Sequence, residues 1–298
     1  MFGGLSIRSS WLFAAQGAGR GVVTIVDVET GEVVRRIPVC DEEGRRVFAG
    51  GLAVGPTFTI HVADPLRRVV RIYSLFGHAV GRIGEPHVSR LPAPDHRGGL
   101  AEPIAVAIDD AGALYVASAG GPRVYAVQKR ARDGRYLGSF RSFGVAGETF
   151  SSPRAIAVDG DRVFVVDSGN AAIQVFRRNG SFVHAFSTAA GPGERSLPVG
   201  LAVEHGGDLL VLERGDRPGL RRFRQGGELR EIVEVDGGIA GAVAVASASD
   251  GRFFALDHDG DRLRAFDARG ALRADLSGVL ESRAEAGVPF PATYRRSP

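Results

Sequence analysis

Ala155-Ile-Ala-Val-Asp159, a short turn, Val163-Phe-Val-Val-Asp-Ser-Gly-Asn170, then Ile173-Gln-Val-Phe176, Asn179-Gly180 and Phe182-Val-His-Ala-Phe186 read as four short strands joined by tight turns. The second segment is almost wholly apolar, which suits a strand buried on both faces. Asn179-Gly180 supplies the positive φ that a tight hairpin demands.

The same pattern recurs along the chain. A small residue in the first strand marks each copy: Ser6, Ala53, Ala107, Ala157, Ala202 and Ala244, spaced 42 to 54 residues apart. The buried second strand returns as Trp11–Ala15, Thr59–Ala63, Leu114–Ala117, Val163–Val166, Leu209–Leu212 and Phe253–Leu256. Third strands end at Val26, Tyr73, Val127, Phe176, Phe223 and Phe266. The following turn carries Gly31, Gly77, Gly134, Gly180, Gly227 or Gly270. A period of about 40 to 50 residues built only from strands predicts an all-β fold, a six-bladed β-propeller of four-stranded antiparallel blades. The expected blades are approximately 4–40, 48–84, 102–141, 153–187, 198–234 and 239–276, one domain over 1–276. The remainder, 277–298, is expected to be a tail, with Pro289–Tyr294 a candidate outer strand.

Composition narrows the classes. No apolar run approaches the ~20 residues of a membrane span. Trp11–Ala15 after Arg8 is too short a core for a signal peptide and matches a blade strand, which leaves the compartment open. The single cysteine, Cys40, has no internal disulfide partner. Covalent haem attachment lacks its Cys-x-x-Cys-His motif. A net charge of +3 is small for 298 residues and does not call for a nucleic-acid partner.

Pro153-x-Ala-Ile-Ala-Val-Asp159, Val-Val-Asp167-Ser-Gly-Asn170, Ile-Gln-Val-Phe176 and Asn-Gly180 resemble the NHL repeat. Blades two (Val62-Ala-Asp64, Arg68, Arg71-Ile-Tyr73) and six (Ala255-Leu-Asp257, Arg262, Ala265-Phe266) echo it. The family-naming tripeptide is absent, because Asn170 is followed by Ala171-Ala172. The resemblance implies a propeller, and with it three functional classes: protein-interaction modules, metal-dependent lactonase- or lyase-type enzymes, and RNA-binding propellers.

Candidate sites lie where the repeat breaks. The longest connection, 84–101, holds His87, Arg90, Asp95, His96 and Arg97 and is the expected partner-binding loop. An enzyme would bring ligands to the channel-facing starts of the first strands: Phe48–Gly50, Glu102-Pro103, Ser152-Pro153, Leu197-Pro198 and Gly237-Gly238. Only Glu102 among them has a ligand's chemistry. No catalytic residue, metal or cofactor is assigned. The strand-end acids Asp64, Asp167 and Asp257, with Glu213 in blade five, could form a carboxylate ring. Hydrogen bonding to local loops is the simpler expectation. Acidic turns such as Asp109-Asp110-Ala-Gly112 are expected to be turn chemistry. The rim carries Arg20, Arg45, Arg46, Arg67, Arg68, Arg90, Arg97 and Arg195 together with Asp41, Glu42, Glu43, Glu85, Asp95, Glu148 and Glu194, mixed signs that suit a solvated surface better than a phosphate track. The expected function is a non-catalytic protein–protein interaction module, an accessory subunit of a bacterial complex whose partner is another protein.

Overall fold

The computed structural model describes residues 3–16, 21–84, 99–119, 126–140, 150–257 and 262–281. Within them the chain forms six four-stranded antiparallel sheets, each drawn from one continuous segment. Strand order within each sheet follows chain order. The fold is a six-bladed β-propeller. Its inner strands are Gly4–Arg8, Leu52–Val54, Pro103–Ile108, Pro153–Asp159, Pro198–Val203 and Ala242–Ser247. Each touches the inner strands on either side, and Gly4–Arg8 meets Ala242–Ser247 to close the ring.

Second strands are buried end to end: Trp11–Gln16, Ile60–Asp64, Leu114–Ser118, Leu209–Glu213 and nearly all of Arg162–Asp167. The apolar cores sit between blades. One cluster joins Phe13 and Ile25 of blade one to Ile60 and Val62 of blade two. Another joins Tyr115 and Phe140 of blade three to Phe176 of blade four. At the seam, Leu12 and Val26 pack with Phe254 and Leu263. A helical turn, α1 (Ser277–Glu281), lies across that seam. Its Leu280 is buried in the seam core. Gln16 and Arg36 of blade one donate to the Leu280 and Val279 carbonyls. The proposed outer strand Pro289–Tyr294 lies outside the described residues.

The six outer hairpins share one geometry. In each the turn glycine has φ between +73° and +97°. Five donate the N–H to the carbonyl three residues back, as Gly180 does to Arg177 and Gly270 to Asp267, and Gly31 donates four back, to Asp27. A register shift follows each turn, the signature of a bulged hairpin.

Three expectations move. The register pairs Ala246 with Phe254 as it pairs Ala157 with Phe164, so the blade-six marker is Ala246, not Ala244. The start of that inner strand is correspondingly Gly241-Ala242, not Gly237-Gly238. In blade three the residue opposite Leu114 is Arg130, not Val127. Arg130 is buried and donates to Gln128 Oε1 at 2.7 Å, filling a slot that holds Val, Tyr or Phe in the other blades.

Candidate functional site

The strand-end acids do not form an open ring. Asp64, Asp167 and Glu213 are fully buried. Asp167 accepts from the Ser151 and Ser152 amides, from Asn170 Nδ2 and from Gln174 Nε2, all at 2.7–3.2 Å. Glu213 accepts from Ser196 Oγ and the Leu197 amide. Asp64 accepts from the Arg67 amide and from Arg71 Nε. The acids tie the preceding connection, as well as their own loop, to the blade.

Each blade also carries a buried polar residue on its third strand, paired with the second-strand residue two before the strand-end position. By register those residues are Thr24, Arg71, Gln128, Gln174, Arg221 and Arg264, all buried. Arg71 and Gln174 donate to Asp64 and Asp167, and Arg264 lies 3.7 Å from Asp257, whereas Arg221 turns to Glu194 and the Thr188 carbonyl. The two blades without a strand-end acid, at Gln16 and Ser118, place neutral Thr24 and Gln128 there. Charge meets charge in blades two and six, while in blade four the donor to Asp167 is the neutral amide of Gln174.

The 38–47 connection is docked the same way. Arg45 and Arg67 bind the Asp41 carboxylate at 2.8 and 2.7 Å. Arg71 and Arg82 bind Glu42 at 2.8 and 2.6 Å. Burial alone would raise the Asp41 carboxyl, but hydrogen bonds from Arg45 and the charge of Arg67 outweigh it and hold it at about 2. Hydrogen bonds from Arg71 and Arg82 hold Glu42 at about 2. Two of the rim arginines, Arg45 and Arg67, are thus committed to Asp41. The turn acids behave as turn chemistry: Asp109 accepts from the Ala113 amide at 2.8 Å and from the Tyr115 hydroxyl at 3.1 Å.

The central channel is built in layers of six equivalent residues. Uppermost, at the end bearing the blade connections, are Gly3, Gly50, Ile104, Arg154, Val199 and Val243. Below them come Gly4, Gly51, Ala105, Ala155, Gly200 and Ala244, and then Leu5, Leu52, Val106, Ile156, Leu201 and Val245. The glycines answer a steric need, because a Cβ on Gly4 would stand 2.6 Å from the Leu52 amide nitrogen. A Cβ on Gly51 would stand 2.8 Å from the Ala105 Cα. This upper channel encloses about 80 Å³. Arg154 is its one charged lining residue. Arg154 is exposed and occupies the bulge between Pro153 and Ala155. It has no ion pair or side-chain hydrogen bond among the described residues.

Of the sequence-predicted site residues, Glu102 stands exposed at the start of the blade-three inner strand. Its carbonyl accepts from Ala119, and its side chain is not part of the channel lining. His87, Arg90, Asp95, His96 and Arg97 lie outside the described residues. Among the described residues, no three His, Cys, Asp or Glu side chains are grouped to hold a metal ion. No helix among the described residues is long and apolar enough to cross a membrane. Sequence reasoning missed Arg154, although it is the lone charge in its layer of six.

The large apolar side chains that remain exposed are not evenly spread. Among the described residues the three most exposed are Leu66 (72%), Phe76 (61%) and Val80 (57%), and all belong to blade two. Leu66 is in the turn after the second strand Ile60–Asp64. Phe76 and Val80 are in the outer hairpin, where Arg35 of blade one lies 5.5 Å from the Phe76 ring centre.

Residues 150–176 match the family model of the NHL repeat. No curated protein matches the sequence. Among solved structures, the chain is similar to a streptogramin B lyase, with 15% identity, a TM-score of 0.63, and coverage of 91% of this chain and 80% of that one. It is also similar to virginiamycin B lyase from Staphylococcus aureus, with 14% identity, a TM-score of 0.62, and coverage of 91% and 82%. A protein of unknown function from Bacteroides caccae matches with 15% identity, a TM-score of 0.63, and coverage of 90% and 93%. At such identities the likeness extends to the fold alone. The chain is a six-bladed β-propeller that carries an NHL repeat at residues 150–176.

Proposed function

We propose that this propeller is a non-catalytic protein–protein interaction module, an accessory subunit of a bacterial complex, and that blade two carries its partner contact. The observation behind this reading is the concentration of the most exposed large apolar side chains, Leu66, Phe76 and Val80, on one blade of six. Phe76 and Val80 are neighbours at the outer hairpin and Leu66 stands at the opposite end of the blade, so the blade offers an apolar pair and a separate apolar tip. The blade is also a firm base. Its second and third strands are pinned to the 38–47 connection through Asp41, Glu42, Arg67 and Arg71. The loop containing His87, Arg90, Asp95, His96 and Arg97 follows directly from the outer strand Ala79–Ile83 of the same blade. It would extend the contact with charged and aromatic donors.

The test is quantitative co-purification from source cells with Leu66→Asp, with Phe76→Asp/Val80→Asp, and with a deletion of residues 86–98. Ile232→Asp, at an exposed apolar position on blade five, is the control. Loss of one and the same partner in the blade-two variants, at unchanged thermal midpoint, supports the reading. Retention of that partner in all of them counts against it. Lactonase or lyase turnover abolished by a chelator and by Glu102→Ala would replace this reading with an enzyme. Tight RNA affinity that falls steeply with salt would replace it with a nucleic-acid binder.

A further inference from the structure

The upper channel combines three features that a purely structural pore does not need together. Its top layer places one guanidinium, that of Arg154, among glycine and aliphatic residues. Two layers below, all six positions are branched aliphatics: Leu5, Leu52, Val106, Ile156, Leu201 and Val245. Between them is a layer of only glycine and alanine, where neighbouring inner-strand backbones approach closely, and one continuous cavity is lined by all three layers. Each inner strand also pairs with a neighbour on one side only. Half of its backbone N–H and C=O groups therefore face the channel, available to water or to a ligand.

We propose that this upper channel is a binding site for a small aliphatic carboxylate. Arg154 takes the carboxylate head through paired N–H donors, the geometry for which a guanidinium is suited. The hydrocarbon tail points down past the glycine–alanine layer to the aliphatic layer. At roughly 3.3 Å per residue along a strand, the two layers are about 7 Å apart, the span of a short acyl chain. The 80 Å³ available matches a ligand of that size and excludes a large one. The lower mouth of the channel is a poorer place for an anion. It carries Asp159 and Glu204, and its cation Arg8 already faces Asp110 at 3.8 Å. Charge and shape therefore both orient the ligand head-up. This site is independent of the partner contact on blade two.

Butyrate is the probe, followed by saturation-transfer NMR and by the thermal midpoint of the whole chain. A ligand of so few atoms is expected to bind in roughly the millimolar range. Formate offers the head without the tail, 1-butanol the tail without the charge, and succinate a second charge against the aliphatic layer. Saturable butyrate binding is expected, with each of the three controls at least roughly tenfold weaker. Arg154→Gln should weaken butyrate by a similar factor and Arg154→Lys by less. Because Arg154 is exposed and makes no side-chain hydrogen bond among the described residues, both variants should keep the wild-type midpoint without ligand. The proposal falls if butyrate shows no saturable contact up to about 100 mM. It also falls if formate binds as tightly as butyrate, or if Arg154→Gln binds butyrate as the wild type does.

Discussion

His61 gives the structure a pH dependence that one substitution should remove. Its second-strand position is held by Phe13, Tyr115, Phe164, Leu210 and Phe254 in the other blades. The ring is buried, Nε2 meets Thr59 Oγ1 at 3.1 Å, and buried Nδ1 has no hydrogen-bond partner among the described residues. Burial pushes the imidazole from its ordinary 6.5 down to about 4. The unfolded chain therefore binds this proton more readily than the folded one, and stability is lost as pH falls through 6.5 and levels off below about 4. The full difference corresponds to about 3 kcal/mol, of which about 2 kcal/mol is already lost at pH 5. His61→Leu places there the residue that blade five uses. Urea unfolding of wild type and variant at pH 7, 6 and 5 reads the effect. The acids Asp41 and Glu42, held at about 2, contribute stability that is lost only at lower pH, so they stay out of this window. The variant should lose about 2 kcal/mol less than wild type between pH 7 and pH 5. Parallel losses would show that the imidazole is not desolvated in the fold, and the reasoning would fail.

Two further outcomes follow from the same physical reading. Asp167→Asn should cost roughly 3 kcal/mol in chemical unfolding, because the new amide NH₂ faces buried donors that now converge on the carboxylate. A cost below about 0.5 kcal/mol would mean that the carboxylate is not what holds the 150–152 connection. Gly270→Ala should lower stability by roughly 2 kcal/mol or more, since φ is +92° and the new methyl would collide with the Glu234 carbonyl oxygen. Gly138→Ala, with nothing within 4 Å of its added methyl, should be neutral or slightly stabilising, and a thermal-shift assay reads both glycine variants.

The blade architecture was legible because it rests on local chemistry. Glycine is needed wherever a bulged hairpin takes positive φ, and that need recurs six times. Register was harder to read. Ala242-Val-Ala-Val-Ala-Ser247 alternates so evenly that a slip of two residues keeps every side chain on its own face, which is how Ala244 stood in for Ala246. Arg130 escaped notice because the slot was expected to be apolar, whereas a buried guanidinium can fill it with its stem and bond Gln128 at its tip. Arg154 escaped for a different reason. Only a bulge sets it into the channel, and a bulge is a property of pairing that the inner strand alone does not display. The buried polar belt was half visible. The acids were noticed one by one, but their partners on the third strand emerge only when the two strands are laid side by side.

That belt decides where function should be sought. A charge held at 0% exposure between four donors, as Asp167 is, cannot leave its partners without stranding them. The same holds for Glu213 and Asp64. The most regular polar positions of the repeat are therefore committed to holding connections against blades, and their recurrence reports construction. A ligand or partner must be met by side chains that the construction leaves free. Those side chains are departures from the repeat: Leu66, Phe76 and Val80 on blade two, and Arg154 where the other five blades place glycine or an aliphatic residue. One set is apolar on the outside of the ring and the other is cationic on its axis. A protein surface and a small anion can then be bound at once without competing for the same groups.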